Sequence, residues 1–169
     1  MGSTLTVDNI VGATTAANVK LPAGHVVGWQ SANAANSTQT SSSTYADITN
    51  MTLNYACKHS TSIVYIIVHV HVFIPQQATA WQTVGLKILK GSTTLYTDGS
   101  GTAGTGHYTD SANNRFMEYI SVQAAHAPTD TNSHTYKVQG AKLQGTSYAD
   151  FNNPGYSGGG RITVMEIAQ

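Results

Sequence analysis

The stretch Ile63–Pro75, IVYIIVHVHVFIP, is the most apolar run of the chain, yet it carries two histidines two residues apart. It is bounded by a proline and rich in β-branched residues, which is typical of a long β-strand. Successive side chains of a strand point to opposite faces of the sheet. The even-numbered positions form a uniformly aliphatic face, which predicts one wall of a sandwich core: Val64, Ile66, Val68, Val70, Val72 and Ile74.

The odd-numbered face of the same strand is also largely apolar: Ile63, Tyr65, Ile67, His69, His71 and Phe73. An antiparallel sheet that exposes one face to water normally carries polar residues there. The chain shows almost no helical periodicity, so it has no helix to cover this face. We therefore predict that a second subunit covers these six residues and that they form the contact of an obligate oligomer.

The rest of the chain reads as short β-branched and aromatic segments separated by turns. SSSTYADI and MTLNYAC are predicted as two strands separated by Asn50, and TVGLKILK and TTLYTD as a hairpin turning at Gly91. DGSGTAGTGHYTD, which begins at Asp98, is predicted as a glycine-rich loop. About ten such segments at close spacing predict an all-β, antiparallel β-sandwich or jelly roll.

The domain organisation follows from a shift in composition near residue 23. Residues 24–169 are assigned to a single β-sandwich domain, a size that can close a core without staples. Residues 1–23 are small, polar and thinly apolar. They are predicted to form an extended N-terminal arm that orders against another chain.

Charge is scarce and balanced in this sequence. Charged residues make up 9% of the chain, with eight basic and eight acidic side chains. Nucleic-acid binding needs clustered Lys and Arg, and a peripheral membrane anchor needs a basic stretch. The sequence thus favours neither a nucleic-acid nor a membrane partner. The single cysteine, Cys57, excludes an intrachain disulfide and is predicted to be a small buried residue.

The histidine pair is the one candidate metal site. His69 and His71 lie on one face of the strand about 7 Å apart, a spacing at which both could bind one metal ion. The remaining ligands would come from a loop histidine or from the same pair on other subunits around a symmetry axis. The alternative is a pair of imidazoles hydrogen-bonded inside a subunit interface, which would make assembly sensitive to mild acid. No other cofactor is expected.

No residues show the spacing of a catalytic site. The carboxylates are scattered, and DGSGTAGTG lacks the Gly-Lys-Ser/Thr ending of a phosphate-binding loop. We therefore expect no catalytic residue and no enzymatic activity. Trp81, Tyr108 and Tyr156 are predicted in or beside loops, where aromatic rings could stack on sugars. The alternative is that these rings are buried anchors of the loops.

Several stretches in this order resemble a family of small virion structural proteins of tailed bacteriophages of marine and freshwater bacteria. They are LPAGHVV, SSSTYADITNMTLNYACKHSTSIVYIIV, GLKILKGSTTLYTDGSGTAG, HTYKVQGAK and ITVMEI, and the resemblance runs from Val19 to Ile167. Members are described as decoration or tail-fibre-like proteins. The resemblance implies a jelly-roll-like sandwich, a homotrimer and no catalytic role, and its pattern does not include the histidine pair.

The resemblance also implies a place in the virion, after assembly in the cytoplasm of the bacterial host, and leaves two roles open. A capsid decoration (cement or knob) protein ties shell subunits together, whereas a tail-fibre or receptor-binding tip recognises host-surface glycans. The chain has no coiled-coil or repetitive shaft, which favours decoration. The arm could extend roughly 70 Å at about 3.3 Å per residue. The resemblance implies that the partner of this arm is the major capsid protein or another virion protein.

Overall fold

A computed structural model describes residues 23–75, 80–99, 104–109, 115–156 and 159–169, and these contain strands and no helix. The strands are β1 (Val26–Ala34), β2 (Thr38–Thr40), β3 (Ala46–Ala56), β4 (Ile63–Ile74), β5 (Ala80–Lys90), β6 (Thr93–Asp98), β7 (Thr105–Thr109), β8 (Phe116–His126), β9 (Ser133–Gln144), β10 (Ala149–Phe151) and β11 (Gly160–Ile167). They form two antiparallel sheets, sheet A and sheet B.

Sheet A is built around β4. Strand β8 pairs with one edge of β4 from Val64 to Ile74. On the other edge, β11 pairs with Ile63–His69, and β10 pairs with Val72 and Phe73. Strand β1 lies beyond β11, and β2 lies beyond β10. The long apolar run is therefore the central strand of its sheet, with neighbours along both edges.

Sheet B has the order β3-β9-β5-β6, and β7 pairs with the first half of β5. The aliphatic face of β4 is completely buried against the inner residues of this sheet, as the alternating pattern predicts. A fully buried Val or Ile side chain contributes about 1.5–3 kcal/mol to folding. The chain is thus an all-β sandwich of two antiparallel sheets, which confirms the predicted fold class at this level.

Three local features test the strand predictions. The segments on either side of Asn50 form one strand, not two. The strand continues through a bulge, where Asn50 adopts φ 61° and the β3–β9 pairing shifts. The hairpin that turns at Gly91, with φ 56°, is confirmed as β5–β6. The predicted glycine-rich loop contains β7. There, Gly106 permits a close approach to β5, since a Cβ atom at this position would collide with the Gln82 carbonyl oxygen.

The predicted N-terminal arm, residues 1–23, lies outside the described residues except for Ala23. From residue 24 onward, the described segments belong to the sandwich. In these segments no helix has the length and apolar character needed to cross a membrane.

Candidate functional site

One end of the outer face of sheet A carries an exposed apolar surface. Trp29, Met165 and Tyr65 are successive cross-strand partners on β1, β11 and β4. Trp29 is 69% exposed and Tyr65 is 42% exposed. Ile63 and Ile67 lie on the same face, two residues to either side of Tyr65, and are half-buried. We call these five residues the apolar patch.

The other end of the odd-numbered face is covered by the chain itself. Phe73 is only 3% exposed because the Tyr156 ring stacks on it, with ring centroids 4.1 Å apart. His71 is buried against the Tyr119 ring, at a centroid distance of 5.1 Å. The Asn152 N–H donates to the His71 carbonyl (2.8 Å), and the His71 N–H donates to Asn152 Oδ1 (3.1 Å), which fixes the segment after β10 here. The prediction that a second subunit covers His71 and Phe73 is therefore corrected.

The two histidines have different surroundings. His69 is exposed, and its Nδ1 lies 2.7 Å from Ser121 Oγ. His71 is buried, and its Nδ1 has no hydrogen-bond partner among the residues that the structure describes. In the part of the chain that the structure describes, no cluster of three or more His, Cys, Asp or Glu side chains is suited to hold a metal ion. The structure thus places no third ligand from the described segments beside the predicted metal pair.

Burial lowers the pKa of His71, and the nearby Asp150 carboxylate acts in the opposite direction without cancelling this effect. Asp150 is itself buried and accepts hydrogen bonds from Ser37 Oγ and Asn153 Nδ2. A histidine with a lowered folded-state pKa binds its proton more readily in the unfolded chain. Its contribution to stability is therefore complete above its ordinary pKa of 6.5 and is lost as the pH falls below that value.

We expect the thermal unfolding midpoint to fall as the pH is lowered from about 7.5 to about 5, where histidines titrate. His126 also has a pKa lowered by burial, so His71→Gln should reduce this pH dependence without abolishing it. His69→Gln, at an exposed histidine on the same face of β4, is the matched control, and it should retain more of the dependence than His71→Gln does. Equal pH dependence in the two variants would contradict this assignment.

An extensive polar network centres on Glu166, which is fully buried near the end of β11. Its carboxylate accepts hydrogen bonds from Tyr55 Oη (2.8 Å), Ser62 Oγ (2.7 Å) and the backbone N–H groups of Lys58 (2.9 Å) and His59 (3.0 Å). Burial alone would raise the pKa of Glu166, but these donors outweigh it and hold the pKa below its usual value. The group is a structural anchor for the β3–β4 connection, and it was not recognised from the sequence.

The three aromatic residues predicted to contact a ligand do not form one site. Trp81 and Tyr108 are cross-strand partners on β5 and β7, about half exposed, with ring centroids 5.3 Å apart. Trp81 lies one residue inside the start of β5, and Tyr108 lies one residue inside the end of β7. Tyr156 lies apart from this pair, over Phe73 on sheet A. The structure thus forms one exposed aromatic pair and leaves the third ring elsewhere.

Comparison with known proteins gives structural similarities only. No protein-family model and no curated protein matches the chain. A structure of infectious bursal disease virus, Gt strain, is similar at 18% identity and a TM-score of 0.36, over 83% of this chain and 38% of that chain. A structure of the Gx strain is similar at 18% identity and a TM-score of 0.34, over 83% of this chain and 36% of that chain. A structure of T=1 particles derived from the same virus is similar at 16% identity and a TM-score of 0.33, over 83% of this chain and 36% of that chain. This chain spans less than two fifths of those chains.

Proposed function

We propose that this chain is a bacteriophage virion structural protein and, specifically, a trimeric capsid decoration protein that attaches to the shell and stabilises it. The observation that carries the proposal is the apolar patch. An exposed surface that combines Trp, Tyr, Met and Ile marks a protein–protein contact more often than a free surface. Three copies related by a threefold axis could each cover the patch of a neighbour in a closed ring.

The proposed contact between subunits includes some of the six β4 residues predicted from the sequence and adds residues from other strands. Ile63, Tyr65 and Ile67 remain in it, His69 lies at its border, and Trp29 and Met165 join from neighbouring strands. These additions could not be read from β4 alone, because they depend on the β1–β11–β4 pairing. A protein with only 9% charged residues also has little charge to keep copies apart.

The strand order supports a jelly-roll arrangement for this sandwich. The main strands of sheet A follow the order β1-β11-β4-β8, and those of sheet B follow β3-β9-β5-β6. The chain passes repeatedly from one sheet to the other, as expected when two Greek keys are wound together. Jelly rolls are common in virus shells, which agrees with the virion role implied by the sequence resemblance.

We expect deletion of residues 2–23 to abolish attachment to the capsid and to leave the trimer intact, because the proposed arm makes the contact with the major capsid protein or another virion protein. Co-sedimentation of the purified protein with undecorated capsids measures attachment, and light scattering measures the trimer. The full-length chain is the control. Truncated protein that still sediments with shells would contradict the arm's role, and density for the chain on the tail in particle images would reject decoration.

A second candidate function, recognition of host-surface glycans by a fibre tip, is favoured by the exposed Trp81–Tyr108 pair. Aromatic rings at this distance, open to solvent, offer a stacking platform for a sugar. Glycan-array binding that is lost in Trp81→Ala would support this function. Binding no stronger than that of an unrelated protein would exclude it.

A further inference from the structure

A groove of about 520 Å³ opens on the outer face of sheet A, beyond the apolar patch. Its lining includes Asn33, His69, Tyr119, Gly159, Gly160 and Arg161. These residues come from β1, β4, β8 and β11 and the turn before β11. His69 lies four residues from Tyr65, which corresponds to about 13 Å along the strand. The groove is therefore separate from the centre of the patch.

The floor of this groove includes two glycines that lie tightly against neighbouring residues. A Cβ atom at Gly159 would collide with the Ala34 carbonyl oxygen, and one at Gly160 would collide with the His69 carbonyl oxygen and the Asn152 side-chain amide. Neither position accepts a side chain without a shift of the backbone around it. The floor is thus made of backbone, and the side chains that surround it decide what can bind.

Hydrogen bonds hold two polar side chains of the groove in place. Arg161 Nε donates to Asn33 Oδ1 (2.9 Å), which fixes the plane of the guanidinium group. Among the described residues no carboxylate forms an ion pair with Arg161. The N–H groups of its two terminal guanidinium nitrogens can therefore donate to a ligand. The contact between His69 Nδ1 and Ser121 Oγ orients the imidazole and turns its Nε2 away from Ser121. No Asp or Glu is found among the described residues that line the groove.

Tyr119 supplies an aromatic surface beside these donors. Its side chain is 51% exposed, and the buried His71 ring supports it in an edge-to-face contact. A fixed guanidinium fork binds a carboxylate through two parallel hydrogen bonds. An exposed aromatic ring packs against the apolar face of a sugar. The groove is shallow, and Tyr119 is the only large apolar side chain among its described lining residues, which offer no pocket for an aliphatic residue of a peptide.

We propose that this groove binds an acidic saccharide, with the sugar carboxylate on Arg161, the sugar ring against Tyr119 and hydroxyl groups on Asn33 and His69. Binding in the groove does not require attachment to a shell, nor does it use the Trp81–Tyr108 pair. It would therefore persist if the proposed decoration role were rejected.

The test is a titration of the full chain with trigalacturonate, followed by two-dimensional NMR and calorimetry. We expect saturable shifts at Asn33, Tyr119 and Arg161, with little response to neutral maltotriose. Arg161→Gln should lower the association constant at least about tenfold, the loss expected for one charge-assisted contact. Arg115→Gln removes the same charge outside the groove and should have no effect. Tyr119→Phe should retain binding, and Tyr119→Ala should weaken it.

Several outcomes would overturn the proposal. One is the absence of saturable binding up to about 10 mM trigalacturonate, a concentration well above the dissociation constant of even a weak specific site. Another is an equal loss of affinity in Arg161→Gln and Arg115→Gln. Inorganic phosphate binding as tightly as trigalacturonate would indicate a plain anion site, and triglutamate doing so would indicate an acidic peptide. If Arg161→Gln fails to fold by circular dichroism, Arg161→Lys keeps the charge without the fork and should still weaken binding several-fold.

Discussion

Replacement of Glu166 by alanine is expected to lower the free energy of unfolding by about 3–4 kcal/mol, more than any other single change considered for this chain. The carboxylate is fully buried and accepts hydrogen bonds from the hydroxyls of Tyr55 and Ser62 and from two backbone N–H groups. Alanine would leave these donors without a partner. The β3–β4 connection would then lose the contact that joins it to β11.

Urea unfolding of the purified protein measures this loss. Glu118→Ala is the matched control, because Glu118 is the only other glutamate and is exposed. Glu166→Gln keeps the shape of the side chain, so its free energy of unfolding should lie between those of Glu166→Ala and Glu118→Ala. Since the pKa of Glu166 is held below its ordinary value of 4.5, its contribution is complete above that pH and is lost as the pH falls further. Equal stability of Glu166→Ala and Glu118→Ala would contradict the proposal that Glu166 anchors the β3–β4 connection.

The second large effect is expected for Tyr65→Lys at the centre of the apolar patch. A lysine there would place a charge in the proposed contact and remove the aromatic ring, at a cost of about 2 kcal/mol for each contact. A closed trimer has three such contacts, so its association constant should fall by about 10⁴-fold.

Sedimentation velocity at several concentrations measures this change in assembly. Tyr108→Lys is the control, because Tyr108 is a similarly exposed tyrosine on sheet B. It introduces the same charge and should leave assembly unchanged. If Tyr65→Lys sediments like the unsubstituted protein, the patch is not the contact.

The core face of β4 was predictable because it depends only on alternation within one strand. The odd-numbered face has an exposed end and an end that the chain itself covers, and alternation does not show where one gives way to the other. His71 and Phe73 are covered by Tyr119 and Tyr156, residues at least 48 positions away along the chain. Such coverage depends on how β8 and the segment after β10 pair with β4, and neither carries a pattern that specifies this pairing.

The role of Glu166 had a signal in the sequence. In RITVMEI the inward-facing positions are Ile162, Val164 and Glu166, so alternation places a carboxylate in the core. A buried carboxylate requires donors. Those donors lie more than 100 residues earlier in the chain, and only the fold brings them together. The groove around Arg161 is likewise a product of strand order, since four strands contribute to it.

The central claim is that copies of this chain cover the apolar patch on one another. Sedimentation equilibrium of the unsubstituted full chain at micromolar concentration tests it most directly. The account predicts a single species with three times the 17.8 kDa mass of the chain. A stable species of 17.8 kDa at that concentration would contradict it, because Trp29 and Tyr65 would then remain exposed to water.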